Sequence, residues 1–189
     1  MKILIIVLIA LGLALEELGM IAQRGAQVVN LDKKMTLMAC IWGVFAFGSV
    51  AIGYLCGQWI LTGDIGSRET FWIHVVAGVF LALVGGSMLL HAYRQDTIFE
   101  HRMESIDIKH DVLLGLRFLA YGFICGLSCG LLEFRFIVVA LTFFLLSIAF
   151  VVIGYICGRS FGAEISRKAY VAGGGLLCVL GIVLQVAAI

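Results

Sequence analysis

The sequence predicts an all-α membrane protein whose six transmembrane helices form two inverted three-helix repeats. Composition, six long apolar runs and a recurrence of motifs carry that prediction. Of the 189 residues, 62% are hydrophobic and 13% charged, and mean hydropathy is +1.12, whereas soluble domains are about a quarter charged. The apolar runs fall near residues 3–22, 36–62, 71–93, 112–132, 136–158 and 169–189. Each is long enough for a hydrocarbon core of about 30 Å. Lipid cannot satisfy open backbone groups, so runs of this length are expected to be helices.

The first run carries Glu16 and Glu17 side by side, within Gly12-Leu13-Ala14-Leu15-Glu16-Glu17-Leu18-Gly19-Met20. A charge at the centre of a bilayer helix costs about 2.5–3.5 kcal/mol, which makes such a residue a functional candidate when it faces protein. Helical neighbours point about 100° apart, so the two acids occupy different faces. Glu16 shares its face with Gly12, Gly19, Met20 and Gln23, small or polar residues that admit a second helix closely. Glu17 lies with Leu13, Met20, Ile21 and Arg24, and its expected state is protonated or stretched toward Arg24. Glu16 is therefore the preferred internal ligand or proton carrier. Met1 to Ala14 imitates a secretory signal, but the apolar run continues to Ala22, a full span, so cleavage is not expected.

The second span ends on Ile52-Gly53-Tyr54-Leu55-Cys56-Gly57, and the fifth on Ile153-Gly154-Tyr155-Ile156-Cys157-Gly158. Val76-Ala77-Gly78 with Gly86 in the third span recurs as Val171-Ala172-Gly173 with Gly181 in the sixth. Residues 1–93 and 112–189 thus read as two repeats of three spans, joined by a linker over 94–111. Three is odd, so the second copy enters the membrane from the other side. Secondary transporters of that architecture place substrate at the repeat interface. In the linker, Asp96, Glu100, Glu104, Asp107 and Asp111 would share one face of a solvated helix.

The chain has 23 glycines and no proline, so any helix break must fall at glycine, near Gly85-Gly86, Gly122, Gly126 or Gly173-Gly174-Gly175. Close helix packing is their commoner role. Span four has a polar stripe: Arg117, Tyr121, Cys125 and Ser128 share one helical face. At 1.5 Å per residue, Arg117 lies roughly 9 Å from its cytoplasmic end and Glu16 roughly 10 Å from its own. Matching depth predicts an ion pair between them.

Lys and Arg are uneven between the two sides. Loops after the first, third and fifth spans carry Arg24, Lys33, Lys34, Arg94, Arg102, Lys109, Arg159, Arg167 and Lys168, against Lys2, Arg68 and Arg135 opposite. The positive-inside rule makes those three loops cytoplasmic and both termini external, in a multi-pass membrane protein. All six cysteines (Cys40, Cys56, Cys125, Cys129, Cys157 and Cys178) fall in apolar segments, where they read as small apolar residues. Histidine spacing makes no metal motif. Net charge is +1, with neither a nucleic-acid motif nor a phosphate-binding loop, and no nucleophile–base arrangement marks an enzyme.

Taken in order, these residues resemble the bacterial manganese-efflux pump family (MntP-type) of the lysine-exporter-like superfamily. The resemblance rests on Gly12 to Glu16, Ile52-Gly53 with Gly57, Trp72-Ile73, Val84-Gly85-Gly86-Ser87-Met88, Ala92-Tyr93-Arg94, and Arg167-Lys168-Ala169 leading to Gly173-Gly174. It implies a six-span transporter with acidic cation ligands, manganese as substrate and no tightly bound cofactor. The family's span-one acid is matched by Glu16. Its span-four acid is matched by Tyr121, and an acid of span two falls near Ala46. The expected metal set is Glu16 with Tyr121 and Ser128 as neutral oxygens, and the expected pathway is Glu17, Arg117 and Cys125. Expected partners are the lipid bilayer and the transported cation; a homodimer is left open. Two rival readings keep the fold: an exporter of a small amphipathic solute such as an amino acid, held between Arg117 and Glu16, and a structural membrane protein that transports nothing.

Overall fold

The computed structural model describes residues 2–27, 34–62, 70–94, 108–161 and 164–186, with side chains described except at 24, 26–27, 34–38, 62, 70 and 108–117. Six helices run through them: α1 (Lys2–Gln27), α2 (Lys34–Thr62), α3 (Thr70–Arg94), α4 (Ile108–Leu131), α5 (Phe136–Phe161) and α6 (Glu164–Val186). Five contain stretches long and apolar enough to cross a membrane: Lys2–Gln23, Ala39–Leu61, Phe71–Arg94, Phe136–Phe161 and Glu164–Val186. In α4 the apolar part among the described residues is Phe118–Leu131. Large apolar side chains such as Leu4, Leu55, Leu83, Leu145 and Val179 are exposed on the outer faces, a surface that suits lipid better than water.

Helix ends extend past the apolar runs because hydropathy marks only what a membrane would cover. α4 begins at Ile108 rather than 112, and α6 at Glu164 rather than 169. In the first turn of α6, Glu164 favours the positive helix end and pairs with Lys168 at 2.8 Å, one turn on. α4 ends in a short turn. Leu132 N donates to Ser128 O at 3.1 Å, and Phe134 N to Cys129 O at 3.3 Å. Glu133 takes φ 52° between them, the left-handed conformation that closes many helices. α2 pins this turn: the Tyr54 hydroxyl donates to Phe134 O at 2.6 Å, and Gln58 Nε2 to Gly130 O at 2.9 Å.

α1 packs on α5 and α6, α2 on α4 and α5, and α3 on α6 and α4. Glycine sets these contacts. Between α2 and α4, a Cβ at Gly57 would lie 2.6 Å from Leu127 O, while Gly53 meets Phe123 O and Gly126 meets Val50 O. Between α5 and α1, Gly154 faces Leu18 O, Gly158 meets Ala22 O, and a Cβ at Gly25 would lie 2.8 Å from Tyr155 O. Between α3 and α6 the contact is reciprocal, Gly78 against Gly181 O and Gly85 against Gly174 O, each 2.6 Å from a built Cβ. Except at Gly154, where the Ile21 side chain lies as near as Leu18 O, the nearest neighbour is backbone, so a side chain there would force the helices apart. The candidate break points Gly85-Gly86, Gly122, Gly126 and Gly173-Gly174-Gly175 all lie within unbroken helix, and most of them pack closely on a neighbouring helix. The core is completed by rings, with Trp42 of α2 edge-on to Phe118 of α4 at 5.5 Å.

Several residues of the sequence reading lie outside the described ones. They are the acidic stretch from Asp96 to Asp111 and the side chains of Arg24, Lys33, Lys34, Arg68, Arg102, Lys109 and Arg117.

Candidate cation site

Both acids of α1 are wholly buried, Glu16 and Glu17 each at 0% exposure. Their neighbours differ as a 100° step around a helix requires. The Glu16 face runs along α6: a Cβ at Gly12 would lie 2.6 Å from Leu177 Cγ, and one at Gly19 3.0 Å from the Tyr170 ring. Small residues either side of Glu16 thus let α6 close over it. On α4, Cys125 lies within electrostatic reach of Glu16. Met88 of α3 comes in from a third side, its Cε beside Gly173 together with Gly12 O and Leu15 Cβ. α6 thus covers the small-residue face of α1 that carries Glu16, and α4 comes within electrostatic reach of its carboxylate.

Glu17 is as deeply buried as Glu16 and turned toward α5; the Arg24 side chain, its alternative partner, lies outside the described ones. On α5 the Ser147 hydroxyl donates to Glu17 Oε1 at 2.7 Å. Its second oxygen, Oε2, is buried without a hydrogen-bond partner among the described residues. Carboxylates held this way are costly unless paired, so the α1–α5 contact stores an electrostatic demand in an apolar interface.

The span-four residues divide. Cys125 is buried and within electrostatic reach of Glu16, and Tyr121 is half-buried against the core. Ser128 is buried too, but its hydroxyl lies 3.0 Å from Ile124 O and 3.4 Å from Ala77 O, so its proton is shared between α4 and α3 carbonyls. Arg117 belongs to α4, and its expected ion pair with Glu16 lies outside the described side chains. Ala46, where the resemblance places an acid, is buried in α2. Among the described residues no three His, Cys, Asp or Glu side chains gather as a metal cage.

The partner of Glu17 is not legible from sequence: Ser147 stands in the same apolar helix as Thr142 and Ser160, and only the fold shows that of the three it alone is buried.

The model of the family described as "Putative manganese efflux pump" (Mntp) matches residues 30–184. The chain belongs to that family. The match begins after α1, so Glu16 and Glu17 lie ahead of it. Full-length relatives extend across them. A "Putative manganese efflux pump MntP" of Sorangium cellulosum (strain So ce56) is 29% identical over 93% of this chain and 92% of its own length. One of the same name from Corynebacterium glutamicum (strain R) is 26% identical over 96% of this chain and 95% of its own. One from Methanobrevibacter smithii is 25% identical over 94% and 93%. No solved structure matches the chain.

Proposed function

We propose that the protein exports manganese across the bacterial cytoplasmic membrane as a secondary transporter, with Glu16 as the carboxylate that receives the ion. The observation that carries this reading is a glutamate at 0% exposure in the middle of α1, enclosed by α6 and α4. A buried acid in a membrane helix is expensive and so marks an ion path. The names of the relatives supply the cargo. Tyr121 and Ser128 are the neutral oxygens offered by α4, and Cys125 and Arg117 border the route. No nucleotide-binding motif is present, so an ion gradient is the energy source.

In this reading α4 is the sixth span, both termini are external, and the halves are an inverted repeat. Exchanging α1, α2 and α3 for α4, α5 and α6 turns the α2–α4 contact into α5–α1, and α3–α6 into itself. The glycines support it: Gly53 on Phe123 O and Gly57 on Leu127 O correspond to Gly154 on Leu18 O and Gly158 on Ala22 O. That register sets Tyr121 opposite Glu16 in the other half, and Gly122 opposite Glu17. The reciprocal contacts of Gly78 with Gly181 and of Gly85 with Gly174 make Gly78 equivalent to Gly174 and Gly85 to Gly181 between the halves, one residue away from the motif match of Gly78 to Gly173.

The test is cellular manganese content under a manganese load, with and without the gene. Accumulation in the deletion strain, reversed by the native gene but not by Glu16→Gln at equal protein level, is the expected result. Sensitivity to amino acids in place of manganese would instead favour the amphipathic-solute exporter.

A further inference from the structure

Glu17 and Ser147 form a pair that the manganese site does not use. They face each other across α1 and α5, on the side of α1 turned away from the Glu16 face. Ser147 is 2% exposed and Glu17 0%. Oε1 accepts from Ser147 at 2.7 Å, while Oε2 is buried without a hydrogen-bond partner among the described residues.

A packing role does not account for the acid. The α2–α4 contact is built on the same glycine pattern as α5–α1, and at the place corresponding to Glu17 it holds Gly122 against Ser49, with Ala46 where α5 has Ser147. That interface closes with no ionisable group at either position. The carboxylate therefore answers to a ligand, and Oε2 is the atom left open for it.

We propose that Glu17 and Ser147 form a binding site for a small, hard monovalent cation of the sodium type, separate from the Glu16 site. The charge argues for a single positive charge. One carboxylate neutralises one unit, so a monovalent ion leaves this pair electrically neutral with no further acid. The donor chemistry agrees, since carboxylate and hydroxyl oxygens are hard ligands. Ser147 can switch from donor to ligand by turning its proton to the carbonyl one helical turn back. Thr142 does so on the same helix, donating to Val138 O at 2.7 Å. The hydroxyl then presents a lone pair, and the ion sits between it and the carboxylate. In a manganese exporter this ion is the coupling ion, a step that alone rests on the function proposed above.

The experiment is thermal unfolding of the purified full chain in detergent, in sodium chloride against choline chloride at equal ionic strength. A ligand that binds only the folded state raises Tm with its concentration. The native protein should melt several degrees higher in sodium. Glu17→Gln should lose the sodium-dependent rise, and Ser147→Ala should need about tenfold more sodium for the same rise, as loss of one hydrogen-bonding-strength contact implies. Glu16→Gln should keep the full sodium-dependent rise while losing any manganese-dependent one, which separates failure of this site from failure of the manganese reading. Should Glu17→Gln fail to fold, Ser147→Ala decides alone. Equal melting in sodium and choline, an unchanged rise in Ser147→Ala, or a rise produced by manganese and not sodium at Glu17 would overturn the assignment.

Discussion

Glu16 and Glu17 are adjacent in sequence and a third of a turn apart in space, and everything functional in the account follows from that step. The Glu16 side is lined by Gly12 and Gly19, which let α6 approach. Replacing Glu16 by Gln keeps shape and removes charge, so manganese export should fall by about tenfold to a hundredfold, the worth of a charged contact of roughly 1.5–3 kcal/mol, with protein level unchanged. Transport assays in vesicles read this directly. How much of this was legible differs by residue. The burial of Glu16 followed from its small-residue face, and the nearness of Cys125 from the polar stripe of span four. The partner of Glu17 did not, because Ser147 lies 130 residues away, and contact between distant helices is set by packing that one helix's periodicity cannot report. Spacing along one helix offers Arg24 as a partner for Glu17, since it reports no geometry between helices.

At the scale of the helix, glycine decides which pairs can touch. Gly57 faces the backbone of Leu127, where a side chain has nothing flexible to displace. Gly57→Leu should therefore destabilise the protein by about 1–3 kcal/mol or more through overpacking, seen as a lowered Tm in detergent. Gly86 and Gly175 have nothing within 4 Å of a built Cβ, and alanine at either should leave Tm unchanged or raised, since it also favours helix over glycine. Tyr54→Phe removes the 2.6 Å hydrogen bond to Phe134 O and should cost about 0.5–1.5 kcal/mol. The helices themselves were legible as six apolar runs. Their ends were not, because Glu164 and Lys168 continue α6 through an ion pair and helix propensity beyond the apolar stretch.

For the molecule as a whole, the recurrence of Ile-Gly-Tyr at 52–54 and 153–155 has a physical reading in the packing. Both copies place glycine on the backbone of a helix from the other half. The proposed orientation predicts sidedness. With nine of the loop and terminal basic residues on one side, cysteines introduced at 33 should be shielded from impermeant reagents outside the cell, and one at 189 should react. Reaction at 33 alone would reverse the orientation. The account's central claim is that manganese crosses through the site at Glu16, and manganese uptake by proteoliposomes holding the purified native chain or Glu16→Gln tests it most directly. The account predicts gradient-driven uptake by the native chain and background uptake by the variant. No uptake by the native chain, or equal uptake by both, would contradict it.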